Sequence, residues 1–206
     1  MKYILASGSP RRVELIQKLH LPFEVQKALG EEVSEKTNPE EYVCELALHK
    51  ALEVFNRLKN DSLSSDSSGL FVLGADTIVT LDNEILGKPK DSEDAKAMLR
   101  RLSGRSHKVF TGVAFAYTNA SAGSENLQTL TFFDETKVTV SDLLDAEIEH
   151  YVATGDPLDK AGSYGIQGDF SIHISSIVGN YENVIGLPVS RIYEEMKGIF
   201  GEKFLK

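Results

Sequence analysis

The sequence predicts an α/β fold, a mixed twisted central sheet with flanking helices. Three observations predict it. Apolar runs of strand length alternate with segments whose apolar residues recur at helical spacing. The alternation is irregular and includes hairpins, which argues against a regular doubly wound sheet. The chain has 206 residues and 41% hydrophobic content, enough to bury the core of one large domain or two small lobes.

The elements follow in order. Tyr3 to Ala6 is a short apolar strand, and Ser7-Gly8-Ser9-Pro10 turns it into a helix with Leu15, Ile16 and Leu19 on one face. Ser9 suits the N-cap and Pro10 the first helical position. Residues 31–38 are polar and acidic and read as loop. Asn38-Pro39-Glu40-Glu41 starts a second helix, along which Val43, Leu46, Ala47, Ala51, Val54, Phe55 and Leu58 form a stripe. Residues 59–69 are serine-rich and read as a flexible surface insertion. Leu70 to Gly74 is a buried strand that continues through Ala75 to Val79. Asp82-Asn83 marks a hairpin turn, and Ile85 to Pro89 is the returning segment. Ser92 caps a helix to about Leu102, closed by Gly104. Val109–Tyr117 and Leu127–Val140 read as long strands joined by the loop 119–126. A helix over Asp145–Ala153 ends at Gly155, residues 155–170 form a glycine-rich loop, Ile172–Val178 is a strand, and Pro188–Phe200 is the last amphipathic helix.

Composition excludes several function classes. A net charge of −9 argues against a general nucleic-acid binder. An acidic protein that binds a polyanion must gather its basic groups locally or use a metal. No apolar run is long enough to span a membrane, and the N-terminal segment does not read as a signal peptide. One cysteine, Cys44, excludes an intrachain disulfide and argues for a reducing compartment, hence the cytoplasm. No Cys/His spacing resembles a zinc site, and the five histidines read as structural or surface residues.

Several residues could carry chemistry. Glycine, cap and the pair Arg11-Arg12 meet at one helix start, which makes either an anion pocket suited to phosphate or an ordinary capped helix with two solvated arginines. Lys50 lies on the inward stripe of its helix; it either snorkels out along its stem or aims at an anion. Asp76 follows a continuous apolar strand, as a general base, a metal ligand or a turn-capping carboxylate, and Gly74 and Ala75 make room for a ligand. Glu31-Glu32 is either a solvated acidic pair or a partner of Asp76 in an oxygen-rich magnesium site. Lys88 is held between Gly87 and Pro89, and Arg105 lies just past a helix end whose carbonyls it could serve. Asp159-Lys160-Ala161-Gly162 and Tyr164-Gly165-Ile166-Gln167-Gly168 form a dense cluster. Its Gln167 offers the donor and acceptor that suit a nucleobase edge.

Taken in order, Leu5-Ala6-Ser7-Gly8-Ser9-Pro10-Arg11-Arg12, Gly74-Ala75-Asp76-Thr77, Leu86-Gly87-Lys88-Pro89, Leu102-Ser103-Gly104-Arg105, Pro157 to Gly162, Gly165-Ile166-Gln167-Gly168 and Gly186-Leu187-Pro188 resemble the Maf family of nucleoside triphosphate pyrophosphatases. The resemblance covers nearly the whole chain outside 59–69 and 119–126. It implies one Maf-like domain over 1–206, of two lobes around a cleft in an inosine triphosphatase-like fold, often as a homodimer. It also implies hydrolysis of a nucleoside triphosphate to the monophosphate and pyrophosphate with magnesium or manganese, with neither nucleic acid nor membrane as partner. Asp76 falls on the family's catalytic aspartate, with Glu32, Lys50 and Lys88 on further active-site positions and Asp76 and Glu32 as the implied metal ligands. Ser9 and Arg12 fall on its Ser-x-x-Arg phosphate site, and Ser7, Arg11, Thr77, Lys160 and Gln167 complete the substrate-binding set. The family usually shows Asp-Glu where this chain has Glu31-Glu32.

Arg11, Thr77 and Gln167 resemble the group acting on dTTP and UTP; the group acting on 7-methyl-GTP shows tryptophan, glutamine and glutamate there. A cationic methylated guanine gains from an aromatic face and a carboxylate. A neutral pyrimidine edge needs the neutral donor and acceptor of Gln167. Alternatives are a pyrophosphatase for 7-methyl-GTP or another modified nucleotide, and a nucleotide-sensing regulator of cell division that does not turn over. A Rossmann dehydrogenase is excluded because the first turn lacks Gly-x-Gly-x-x-Gly.

Overall fold

The computed structural model describes residues 1–30, 33–61, 69–119 and 124–201, without the side chains of 61, 119, 124 and 125. It is a mixed α/β protein with a sheet of seven strands in the order β2-β1-β3-β5-β6-β7, with β4 paired to β3. These are β1 (Lys2–Ala6), β2 (Phe23–Val25), β3 (Leu70–Leu81), β4 (Glu84–Leu86), β5 (Ser106–Asn119), β6 (Ser124–Val140) and β7 (Ile174–Val178). The helices are α1 (Pro10–Ile16), α2 (Pro39–Asp61), α3 (Ser92–Leu102), α4 (Asp145–Ala153), α5 (Tyr181–Ile185) and α6 (Val189–Phe200). The chain divides into two compact units. One comprises Met1–Asp76, Thr111–Phe133 and Gly186–Lys206; the other comprises Thr77–Phe110 and Asp134–Ile185.

In the first unit, β1 runs parallel to both β2 and β3, in the register Tyr3 opposite Phe71 and Ala6 opposite Gly74. Strands covered on both faces read as unbroken apolar runs, and Ile4–Ala6 and Phe71–Leu73 are fully buried. Parallel neighbours need crossovers, which α1 and α2 supply. The second begins as its sequence predicts: the Asn38 carboxamide oxygen accepts from the N–H groups of Glu40 (2.9 Å) and Glu41 (3.2 Å), with Pro39 at the first position. Its stripe of Ala47, Ala51, Val54 and Phe55 packs on Ile4, Ala6, Val72, Ala114 and Ala116.

The approach of α2 to the sheet is unusually close at two glycines. A Cβ at Gly74 would run into the Ala47 carbonyl and stand 2.8 Å from the Ala51 nitrogen; at Gly112 it would meet the Val43 carbonyl group. The obstructions are helix backbone, which cannot swing aside. Gly74 therefore makes room for α2, and not for a ligand as its sequence position suggests.

In the second unit, β3 and β4 form the expected hairpin, with Asp82 (φ 53°) and Asn83 (φ 66°) both left-handed, the geometry of a two-residue turn between antiparallel strands. Helix α3 is capped by Asp91 and not by Ser92. The backbone at Asp91 is extended, and its carboxylate accepts from the Asp94 N–H at 2.9 Å, which leaves Ser92 as the first helical residue. Arg105 pairs with both Asp82 carboxylate oxygens (2.7 and 2.8 Å) and so does not serve the helix end with its side chain. The glycine-rich loop holds three 3-10 turns, at Asp156–Asp159, Ala161–Ser163 and Asp169–His173. The last of these delays the start of β7 from 172 to Ile174. Helix α6 begins at Val189, with Pro188 as its cap residue. Strand β2 and helix α5, each too short to show a period, are additions to the sequence reading. Of the insertion expected at 59–69, residues 59–61 continue α2 and 62–68 lie outside the described residues.

His107 is buried in the second unit. Its Nε2 lies 2.7 Å from the Tyr164 hydroxyl, and its Nδ1 has no hydrogen-bond partner among the described residues. Burial pushes its pKa down to about 4.

Two predictions follow from this packing. Gly74→Ala lowers stability by about 3 kcal/mol, and the thermal midpoint by roughly 10 °C, because neither backbone partner can yield. Gly8→Ala, whose added methyl meets only the flexible Lys27 side chain, costs far less in the same melt. The His107 effect has the opposite pH sense to an acid-stabilising group. Below about pH 6.5 the unfolded histidine takes up a proton that the folded one refuses until about pH 4. Stability is therefore full above pH 6.5 and declines by on the order of 3 kcal/mol as the pH falls to 4. His107→Gln flattens that slope in urea titrations at a series of pH values; an unchanged slope refutes the assignment.

Candidate active site

The close packing of α2 sets up the central pair of the first unit. Lys50 stands next to Ala51 and one turn beyond Ala47, the two residues pressed on Gly74; Asp76 is two positions past Gly74 on β3. The Lys50 ammonium donates to Asp76 Oδ1 at 2.6 Å, and the two side chains are only 12% and 10% exposed. Lys50 thus neither snorkels to solvent nor stands alone: its charge is matched by the carboxylate the sequence singles out. A pair this dry depends on mutual compensation, since each charge alone would cost several kcal/mol to keep buried.

The turn after β1 meets the same strand end. Arg12 Nη1 donates to the Ala75 carbonyl (2.9 Å) and Nε to the Gly186 carbonyl (2.8 Å). The guanidinium therefore braces the peptide immediately before Asp76, a structural duty that a phosphate-binding reading of the motif does not anticipate. Ser9 occupies the N-cap position of α1, but its side chain makes no capping bond; instead the buried Ser7 hydroxyl accepts the Ser9 N–H at 3.2 Å. Arg11 is half-buried on the first turn. Ser7, Ser9, Arg12, Lys50 and Asp76 all belong to this unit, and register carries the β1 turn alongside Ala75 and Asp76.

Thr77, Lys88, Lys160 and Gln167 belong to the second unit. Thr77 is half-buried and follows Asp76 directly on β3. Lys88 is exposed just after β4. The Gly87 carbonyl before it accepts the Gly162 N–H at 3.1 Å, which ties the Lys88 segment to the glycine-rich loop. Lys160 is 12% exposed and bound by carboxylates: its ammonium donates to Asp156 Oδ1 (2.9 Å), to the Asp156 carbonyl (2.6 Å) and to Asp159 Oδ1 (2.7 Å). Gln167 is exposed at the tip of the loop, between the buried Ile166 and Phe170.

Two residues that sequence reasoning does not single out complete this loop. The Tyr151 hydroxyl donates to Asp156 Oδ2 (2.6 Å) and accepts the Gly165 N–H (3.0 Å). Burial, and then the Asp156 carboxylate, hold the Tyr151 hydroxyl well above its usual range. Burial works against the Asp156 charge, yet hydrogen bonds from Tyr151 and Lys160 keep its carboxyl below the usual range. The four-residue spacing of Asp156 and Lys160 is the sequence signal for that pair; Tyr151 has none. Glu32 lies outside the described residues, as does Glu31. The chain on either side is tied to α2, through Leu29 N–H to Glu53 (3.1 Å) and Ser34 to Glu45. Among the described residues no three His, Cys, Asp or Glu side chains form a metal-binding group, and no helix is long and apolar enough to cross a membrane.

The family described as Maf-like protein matches residues 2–199. A curated relative from Agathobacter rectalis is 46% identical over 201 residues, covering 94% of this chain and 95% of its own length. Relatives from Bacillus cytotoxicus (46% over 197 residues, 95% and 94% covered) and Lachnoclostridium phytofermentans (42% over 194, 94% and 93%) match similarly. All three bear the name dTTP/UTP pyrophosphatase. A solved nucleoside-triphosphatase / dITP/XTP pyrophosphatase from Mycobacterium abscessus is a distant likeness: TM-score 0.39, 15% identity, 69% of this chain and 76% of that one, too slight to bear on function.

The ion pair gives a stability prediction independent of activity. Lys50→Met or Asp76→Leu alone strands one buried charge and destabilises by about 3–5 kcal/mol, whereas the double replacement recovers most of the loss. Urea unfolding of the four chains checks it. Additive losses in the double variant count against mutual compensation.

Proposed function

This chain belongs to the Maf family, and we propose that it hydrolyses dTTP and UTP to the monophosphate and pyrophosphate. The observation that carries this reading is the buried Lys50–Asp76 pair, in a chain whose relatives are 42–46% identical and named for that activity. In the reaction the oxygen of water bonds to the α-phosphorus, the bridging α–β bond breaks, and pyrophosphate leaves with the bonding electrons. Asp76 orients the water and takes its proton. Lys50, already at 2.6 Å from Asp76 Oδ1, turns part of its charge to the phosphate as negative charge grows on the leaving group. Arg12 keeps the strand end that presents Asp76 in place and adds fixed positive charge there; Ser7 and Ser9 shape the turn beside it. The exposed Lys88 holds the outer phosphates. Arg11, Thr77, Lys160 and Gln167 serve recognition, with Gln167 meeting the pyrimidine edge as donor and acceptor.

The donor set suits magnesium or manganese. Both are hard ions commonly held by one or two carboxylates together with substrate phosphates, so a single buried aspartate is a sufficient protein anchor. Asp76 and Glu32 would hold the ion, which supplies charge neutralisation of the phosphate oxygens. Family membership also carries the expectations of a cytoplasmic homodimer, which size-exclusion chromatography with light scattering checks for its oligomeric part.

Pyrophosphate release from a panel of dTTP, UTP, CTP, GTP and 7-methyl-GTP tests the substrate. We expect dTTP and UTP to be fastest, with activity lost on chelation and restored by magnesium. Asp76→Asn lowers kcat about 10²-fold or more if the carboxylate is the base. Preference for 7-methyl-GTP would replace the substrate assignment, and tight UTP binding without turnover would replace the enzyme by a sensor.

A further inference from the structure

The loop that carries Gln167 is held by side chains as well as by its own turns. Tyr164, Ile166 and Phe170 are buried, with Gln167, Gly168 and Asp169 exposed between them. The Phe170 ring lies 5.0 Å from both the Tyr151 and Tyr164 rings, centroid to centroid, and 5.3 Å from His173. Stacking of this kind fixes the two feet of the loop. A polar contact from outside the loop fixes its first foot further: the Tyr151 hydroxyl accepts the Gly165 N–H, two residues before Gln167. The hydroxyl is itself oriented, because its proton is committed to Asp156 Oδ2 while Lys160 occupies Oδ1. The Lys160 stem closes the other side, so that a Cβ at Gly165 would sit 2.8 Å from its Cε. Gly165 is thus clasped between a tyrosine hydroxyl and a lysine stem, both organised by one carboxylate.

We propose that Tyr151 is a positioning residue for base selectivity: through its hydroxyl it fixes the Gly165 backbone, and so the orientation in which Gln167 meets the nucleobase. The inference rests on the assignment of Gln167 to the base edge made above. Tyr151 acts through the loop and touches neither water nor phosphate in this scheme. Its loss therefore falls on recognition and leaves the bond-breaking step alone.

Tyr151→Phe keeps the ring and its stacking on Phe170 and removes only the hydroxyl. The expected result is a KM for dTTP and UTP raised about tenfold, kcat within roughly threefold of the parent, and UTP-over-GTP selectivity narrowed about tenfold, the scale of one lost hydrogen bond at a recognition loop. Amide exchange at Gly165 should accelerate about tenfold in the same variant, a readout of the clasp that does not depend on turnover. Gln167→Ala separates the two assignments. If it narrows selectivity and Tyr151→Phe narrows it no further in that background, Tyr151 works through Gln167 as stated. Selectivity and Gly165 exchange left at parental values in Tyr151→Phe, while Gln167→Ala loses selectivity, overturns the role of Tyr151 and leaves the base assignment standing. Additive losses also overturn it. Selectivity unmoved by Gln167→Ala removes both.

Discussion

The structure of the first unit depends on one constraint, that a long helix lie so close to the sheet that at two points no side chain fits between them. Gly74 and Gly112 are the positions where α2 backbone touches strand backbone. A helix held at that distance cannot carry an inward lysine to solvent, so Lys50 must end on something within the interface. Asp76 is what it meets. The ion pair and the tight packing are therefore one feature: the glycines bring the helix down, and the carboxylate makes the buried ammonium tolerable. Arg12 then braces the peptide before Asp76, so the carboxylate is fixed from the helix side and from the β1 turn. A buried, doubly braced charge is weak evidence for stability but a sound basis for a preorganised reacting group.

The second unit solves a related problem with different chemistry. On the proposed reading its glycine-rich loop must approach a ligand, yet a loose loop would recognise nothing. The answer is a carboxylate, Asp156, used from both oxygens: one organises the Tyr151 hydroxyl, the other the Lys160 ammonium. In each unit a charge that looks like a binding group in sequence proves to be half-consumed by internal structure. Arg12 and Lys160 both spend donors on the fold, and this limits how much of either is open to substrate.

The pattern of strands and long helices was legible because burial imposes periodicity, as at Val43–Phe55 and Phe71–Leu73. Asp76 and Lys50 were legible for the same reason: each is a charge on an apolar stripe. What periodicity cannot show is the direction of a side chain's partner. Ser9 has the residue type and position of a helix cap, yet Ser7 supplies the oxygen; Asp91 outcompetes Ser92 because its backbone is extended. Gly74 carried a true signal, close approach, attached to the wrong visitor. Tyr151 was illegible altogether, since a buried tyrosine in a helix looks like core until its hydroxyl is seen to meet Gly165.

The acidic composition finds a physical use in the same terms. On the surface, Lys2, Lys36, Arg100, Arg101, Arg105 and Lys108 are each matched by a carboxylate at 2.6–3.1 Å. Exposed pairs like these are worth at most about 1 kcal/mol each, so stability is a poor account of them. Their larger effect is on the field: matched cations offer no attraction to a polyanion arriving from solution. Lys88 is exposed and has no carboxylate partner among the described residues. A protein of net charge −9 that neutralises many of its surface cations and leaves only some, Lys88 among them, unmatched narrows where a triphosphate can settle. Selectivity for place then comes from the carboxylates as much as from the bases, and a surplus of acid becomes compatible with binding an anion.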